Sequence, residues 1–211
     1  MTTLLALDIG GTKVGWGIVE AGDTYEVTER GSIPTDAMRG GADVAARICE
    51  LASSLVASHP QVAGVAVASA GVVDPSTGDI VSATGTMPGW GGTPLGSLLQ
   101  EATGLKVRVL NDVHAHGLGE ATLGAGQPYR SVLSIAVGTG IGGALVEDRQ
   151  VFFGSRGIAG HVGHIHHHFA PDMTCSCGRK GHIESFCSGS GITAWYDSLR
   201  GESDPEVDGG R

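Results

Sequence analysis

The sequence is poor in the features that mark several large protein classes. Proline occurs only 8 times in 211 residues and the glycines do not form tracts, which argues against a disordered or low-complexity chain. No apolar run approaches the ~18 residues that a membrane span needs. The opening residues Met1-Thr2-Thr3-Leu4-Leu5-Ala6-Leu7-Asp8 carry no basic stretch and turn acidic before a signal-peptide core could form, so the cytoplasm is the default location. Positive charge is scarce. Lys+Arg 13 against Asp+Glu 22 gives a formal net charge of −9, which argues against a general binder of nucleic acid or anionic membrane. Cysteine is limited to Cys49, Cys175, Cys177 and Cys187, and the last three crowd one short stretch. In a reducing compartment such a cluster suggests a metal more than a disulfide.

What is abundant is glycine, 36 of 211 residues or roughly 17% against an average near 7%. The glycines punctuate apolar runs. Residues 4–9, 14–19 and 24–33 read as successive strands joined by tight turns, the first of them very glycine-rich. Val44, Ala45, Ile48, Leu51, Ala52, Leu55 and Val56 follow helical spacing, predicting an amphipathic helix over 42–58. Residues 62–68 form a wholly apolar run of the kind found in buried parallel sheets. A short helix over 94–103, a strand over 106–110 and a helix from Asn111-Asp112 to about Leu123 follow. After Gly124-Ala125-Gly126 the pattern restarts, with a strand over 131–137, a glycine turn and a strand over 144–146. Strand, glycine turn, strand thus occurs twice, which marks a boundary near residue 125 and two domains, 1–125 and 126–211. A last helix over 192–199 precedes an acidic, glycine-ended tail beginning at Gly201.

The two glycine turns carry chemistry. Gly10-Gly11-Thr12-Lys13 lets backbone N–H groups approach an anion without side-chain obstruction, with a hydroxyl from Thr12 and a charge from Lys13. Asp8 at the strand end is placed to hold a hydrated Mg²⁺ that bridges phosphates. Gly138-Thr139-Gly140-Ile141-Gly142 offers the same chemistry on a second wall. No helix follows either turn directly, so neither is a Walker loop or a dinucleotide fingerprint. Two equivalent turns in two equivalent half-repeats favour phosphate binding over a pair of plain hairpins. Asn111-Asp112 sits where a strand gives way to a helix. There an aspartate serves as a helix cap, or as a carboxylate at the ligand-binding end of a sheet. Cys175-x-Cys177-x₄-His182 with His164 upstream supplies a Cys₂His₂ set, the closed shell of structural zinc. His166, His167 and His168 are further candidate ligands, and Cys187 is an alternative to His182.

Together these residues resemble the ROK family of repressors, open reading frames and sugar kinases. Asp8-Ile9-Gly10-Gly11-Thr12-Lys13 is similar to the family's first phosphate motif and Gly138-Thr139-Gly140-Ile141-Gly142-Gly143 to its second. Asn111-Asp112 with Gly117-Leu118-Gly119-Glu120 resembles its catalytic helix. Gly160-His161-Val162-Gly163-His164 and Cys175-Ser176-Cys177-Gly178 through Gly181-His182-Ile183-Glu184 resemble its sugar and zinc signature. Met87-Pro88-Gly89-Trp90 and Ala70-Gly71-Val72-Val73-Asp74 match its sugar-cleft loops. The resemblance implies an α/β, two-lobed actin-like ATPase (ribonuclease H-like) sugar kinase fold. ATP and Mg²⁺ would be held by Asp8, Gly10, Gly11, Thr12, Lys13, Gly138, Thr139, Gly140 and Gly142. Asp112 would be the general base of γ-phosphoryl transfer to a hexose or N-acetylhexosamine. Gly71, Asn111, Asp112, His161, His164 and Glu184 would contact the sugar. A structural Zn²⁺ on His164, Cys175, Cys177 and His182 would fix the loop that carries His164 and Glu184.

Three departures from the family pattern stand out. His161 occupies the place of a glutamate and, as a neutral ring, accepts only one hydrogen bond. His182 replaces the usual third zinc cysteine, which keeps a legal ligand set. Thr86 stands where many sugar kinases carry asparagine. Family members also continue well beyond this sequence, so the second lobe is read as incomplete and the chain as C-terminally truncated. Two rival readings accompany the kinase. A sugar-responsive transcriptional regulator needs a helix-turn-helix ahead of the first phosphate strand, which already begins at Leu4, and the charge of −9 agrees with its absence. A non-catalytic sugar-binding protein or inactive fragment is the other, motivated by His161 and the short second lobe. The expected partners are a sugar and ATP, with no nucleic acid and no membrane, and a homodimer as the assembly to check.

Overall fold

The computed structural model describes residues 1–169 and 171–200. The acidic tail from Gly201 onward lies outside the described residues. The chain forms two compact units, one spanning Met1–Ala115 and the other beginning at His116, and the division runs through a helix.

In the first unit, strands β1 (Thr2–Ile9), β2 (Lys13–Ala21) and β3 (Tyr25–Pro34) form an antiparallel meander. Helix α1 (Gly41–Ser58) then crosses to β4 (Val62–Ser69), which pairs parallel with β1. A small hairpin of β5 (Val72–Val73) and β6 (Ile80–Ser82) and helix α2 (Leu95–Thr103) lead to β7 (Lys106–Asn111), parallel to β4. The sheet order is β3-β2-β1-β4-β7. Alternate strand residues Leu5, Leu7, Ile9, Val14, Ile18, Val65, Val67, Val107 and Val109 are buried with Val44, Ile48, Ala52 and Leu55 of α1 and Leu95 and Leu99 of α2. A period of two on the strands meets a period near 3.6 on the helices. Each large side chain so buried contributes about 1.5–3 kcal/mol of apolar transfer. Gly104, at φ 69, ends α2 and turns the chain into β7.

The segment matched to sugar-cleft loops proves in part to be core. Met87 and Trp90 are buried, and the Trp90 indole Nε1–H donates to the Ala70 carbonyl at 3.2 Å and to Ser69 Oγ at 3.3 Å. Trp90 therefore staples the 87–90 loop to the end of β4, immediately before Gly71. Gly71 itself has φ 98, a conformation that a side-chain-bearing residue rarely adopts.

In the second unit, β8 (Ser131–Val137), β9 (Ile141–Glu147) and β10 (Gln150–Val151) form an antiparallel sheet in the order β10-β9-β8. Helix α3 (Asp112–Thr122) leads into this unit, and its Gly117 lies against Ala144 and Ser134 of the sheet. A 3₁₀ turn over Val162–His164, a one-turn helix α4 (Glu184–Cys187) and helix α5 (Gly189–Arg200) complete it. Leu133, Ile135 and Val137 on β8, and Ile192, Tyr196 and Leu199 on α5, remain exposed. Among the described residues no helix is long and apolar enough to cross a membrane.

Replacing Trp90 by Ala is expected to cost about 3–5 kcal/mol of unfolding free energy, as for other buried tryptophans. Trp90→Phe should cost less, since a six-membered ring still fills most of the site and only the pyrrole part of the indole, with its hydrogen bonds, is lost. Urea denaturation followed by far-ultraviolet circular dichroism measures both, and equal costs would contradict this account of the ring.

Candidate functional site

Two groups of polar residues collect at the ends of the strands, one in each unit. In the first, β1 ends in Asp8-Ile9 and the chain reverses through Gly10-Gly11-Thr12 into β2. The Gly10 N–H closes the turn on the Lys13 carbonyl at 3.0 Å, whereas the N–H groups of Gly11 and Thr12 find no acceptor among the described residues. A side chain at Gly11 would meet nothing within 4 Å, so the space over the turn is open. Two adjacent N–H groups left without an acceptor among the described residues are the donors that an anion-binding turn uses. Lys13 and Asp8 are both exposed beside it.

Asn111 ends β7 and is buried, and its amide uses its full bonding capacity. Its Oδ1 accepts the N–H groups of Val113 at 3.0 Å and His114 at 3.2 Å, which caps α3. Its Nδ2 donates to the Gly71 carbonyl and to Asp112 Oδ1, each at 2.8 Å. The capping role thus falls to Asn111, and Asp112 is held rather than used as the main cap. Asp112 Oδ1 also accepts the Val113 N–H at 2.9 Å, and Oδ2 takes no hydrogen bond from another described residue. Burial pushes the Asp112 carboxyl above its ordinary range, and the neighbouring Asp8 charge adds to that rise against the local hydrogen bonds.

In the second unit the turn from β8 to β9 repeats the pattern. The Gly138 N–H bonds the Gly140 carbonyl at 2.9 Å, and the N–H groups of Thr139 and Gly140 find no acceptor among the described residues. Glu184 pins the start of β9, its Oε2 accepting the Ile141 N–H at 2.9 Å. A Cβ at Gly140 would lie 2.6 Å from Glu184 Oε2, so a larger residue there would push that carboxylate away from the Ile141 N–H. Glu184 Oε1 accepts the Ser176 hydroxyl at 2.6 Å. Burial alone would raise Glu184, but the donors from Ser176, Ile141 and Cys175 outweigh it and hold the carboxyl below its usual range. Gly142 pairs with Ala136 in the β8–β9 ladder, at the base of the turn.

His164, Cys175, Cys177 and His182 converge, with one ligand atom from each lying within 4.8 Å of all the others. His164 Nδ1 lies 3.3 Å from His182 Nδ1 and 3.5 Å from Cys175 Sγ, and His182 Nδ1 lies 3.3 Å from Cys177 Sγ. Zinc bonds of about 2.0–2.1 Å to nitrogen and 2.3 Å to sulfur in a tetrahedron give edges of roughly 3.3–3.8 Å. The donor set fits the ion. Burial, then the neighbouring His164, keeps the His182 ring neutral, the form a metal requires. His164 presents Nδ1 to this cluster and is otherwise exposed, so its two ring nitrogens can serve two partners. Its ring centroid is 6.3 Å from that of His161. Cys187 is exposed and is not in the converging set. Ser176 is the functional contact that sequence reasoning did not find, because a serine between two cysteines carries no signal of the glutamate it will meet.

The sequence signature described as the ROK family extends over residues 4–207. The chain is 31% identical over 192 residues to a glucokinase of Halalkalibacterium halodurans, covering 89% of this chain and 57% of that protein. It is also 31% identical to the N-acetyl-D-glucosamine kinase of Vibrio cholerae, over 95% of this chain and 68% of that protein. A ROK family glucokinase from Streptomyces griseus, solved in complex with glucose and AMPPNP, superposes with a TM-score of 0.78 at 28% identity, over 94% of this chain and 61% of that one. The chain thus spans only about half to two-thirds of each relative. The mixed α/β fold is that of actin-like ATPase sugar kinases.

Two outcomes follow for the site. A carboxyl whose folded value is raised loses stability as pH climbs through that value, so ionised Asp112 destabilises the fold at neutral pH. Asp112→Asn should therefore melt higher than the wild type at pH 7. The gap should close as pH falls toward the unfolded aspartate value near ~3.9, as read by thermal melts across pH. A lower melting temperature for the variant at pH 7 would contradict the burial assignment. Elemental analysis of protein purified without chelator should find a single zinc per chain, lost in Cys177→Ser.

Proposed function

The chain belongs to the ROK family, and on that premise we propose that it is an ATP-dependent sugar kinase moving the γ-phosphoryl group to a hydroxyl of a hexose or N-acetylhexosamine. The observation that carries this reading is the pair of glycine turns, each offering two adjacent N–H groups with no acceptor among the described residues. Phosphoryl transfer needs little covalent chemistry from a protein and much positioning of phosphate oxygens, which backbone donors supply without a mobile side chain. Gly10, Gly11, Thr12 and Lys13 take one part of the ATP phosphates, and Gly138, Thr139, Gly140 and Gly142 take another.

Asp112 is the general base. Its Oδ2, which takes no hydrogen bond from another described residue, accepts the proton of the sugar hydroxyl as that oxygen bonds to phosphorus, and its raised pKa strengthens it as an acceptor. Asn111 keeps the carboxylate in place through the 2.8 Å bond to Oδ1. Asp8, an exposed carboxylate beside the open turn, fits the water-mediated hold of magnesium, which neutralises phosphate charge when bound. Glu184, His161, His164 and the Gly71 backbone contact the sugar. His164, Cys175, Cys177 and His182 would hold a zinc ion, which would supply rigidity to the loop bearing His164 and leading into Glu184. Relatives named for glucose and for N-acetylglucosamine support both sugar classes.

A coupled ADP-release assay over a panel of hexoses and N-acetylhexosamines tests the reading. Sugar-dependent release is expected, reduced about 10²–10⁴-fold in Asp112→Asn. The acid limb of kcat/KM should lie above the ordinary carboxylate range, because the base is lost as pH falls through the raised Asp112 value. Full activity in Asp112→Asn would refute the assigned base.

A further inference from the structure

Both glycine turns are held from behind by a hydroxyl that lies outside every motif. In the first unit, Thr35 is buried at 1% exposure just after β3, and its Oγ1 donates to the Gly10 carbonyl at 2.6 Å. Its N–H donates to the Thr12 carbonyl at 3.0 Å. Thr35 is in turn fixed by Arg47 of α1, whose Nη1 donates to the Thr35 carbonyl at 2.8 Å and whose Nη2 donates to the Pro34 carbonyl at 2.6 Å. In the second unit, the first turn of α5 does the same work. The Ser190 hydroxyl donates to the Thr139 carbonyl at 2.7 Å, and the Gly189 N–H donates to the Gly138 carbonyl at 2.8 Å.

These anchors act on the unpartnered N–H groups through the geometry of the peptide plane. In a trans peptide unit the carbonyl of one residue and the N–H of the next point to opposite sides. Binding the Gly10 carbonyl therefore sets the direction of the Gly11 N–H. Binding the Thr139 carbonyl sets the Gly140 N–H, and binding the Gly138 carbonyl sets the Thr139 N–H. Glycine-rich peptide planes rotate easily, and a rotated plane would present a partly negative carbonyl oxygen to an anion. We propose that Thr35 and Ser190 are positioning residues for the nucleotide phosphates, each holding a turn carbonyl back so that the N–H of the same peptide plane faces the anion. This rests on the assignment of the two turns to phosphate.

The two units reach this arrangement with different elements. Thr35 follows a strand and Ser190 opens a helix, so the shared feature is a hydroxyl-to-carbonyl bond rather than a repeated sequence. Neither hydroxyl touches phosphate in this scheme. Losing either one should weaken nucleotide binding while leaving sugar binding as it was.

The test is calorimetric titration of the full chain with MgADP and, separately, with glucose and N-acetylglucosamine. Thr35→Val and Ser190→Ala are each expected to weaken MgADP binding about tenfold, the upper end of what one neutral hydrogen bond contributes. Thr35→Ser should bind MgADP within about twofold of the wild type, since it restores the donor. Sugar affinity should be unchanged in all three. If Thr35→Val fails to fold, the exposed Ser190 hydroxyl still decides the matter through Ser190→Ala. Wild-type binding of MgADP with equal affinity in Thr35→Val and Ser190→Ala overturns this proposal alone. Parallel loss of sugar and nucleotide binding overturns it too, because it would mark a general structural role. Failure of the wild type to bind MgADP overturns the phosphate assignment of the turns themselves, and this proposal with it.

Discussion

The amide of Asn111 is the contact on which the arrangement around Asp112 depends. Its oxygen caps α3 and its nitrogen bridges the Gly71 carbonyl to Asp112 Oδ1, so a single side chain joins the end of β7, the loop after β4 and the Asp112 carboxylate. The amide is buried and all four of its bonding positions are used, so its orientation is fixed by chemistry. A helix cap, which by itself is a stability device, here also aims a carboxylate. Because Asn111 caps, Asp112 Oδ2 takes no hydrogen bond from another described residue, and burial, with the Asp8 charge, raises the carboxyl above its ordinary range.

The second unit solves a matching problem with a carboxylate in place of an amide. Glu184 links the β8–β9 turn, through the Ile141 N–H, to Ser176 and Cys175 of the cysteine loop. A cation on His164, Cys175, Cys177 and His182 would order the same loop from its other side. An ion held by the His/Cys cluster would therefore be connected to the β8–β9 turn through Glu184, the first residue of α4.

Much of this was legible in the sequence. The helical stripe of Val44, Ile48, Ala52 and Leu55 and the apolar run of β4 appear where periodicity puts them, because each carries a burial pattern long enough to read. The spacing also pointed to the 175–182 loop and His164, but it left Cys187 and His166 to His168 open as ligands, and only the fold brings His182 rather than Cys187 into the converging set. The β5–β6 hairpin and α4 were not legible, being too short for any period to show. Burial of Trp90 was not legible either, since one tryptophan in a loop of Gly, Pro and Thr carries no period, and only the tertiary packing shows it as core. Thr35 and Ser190 could not be found from motifs, since a hydroxyl bonded to a carbonyl distant in sequence leaves no local pattern.

The kinase proposal rests on phosphate binding by each back-anchored glycine turn and on proton acceptance by Asp112. Mass spectrometry of the sugar after incubation with MgATP tests it most directly. The account predicts a sugar monophosphate formed in equal amount with ADP by the wild type, and almost none by Asp112→Asn. ADP produced without any sugar phosphate, or equal sugar phosphate from the variant, would contradict it.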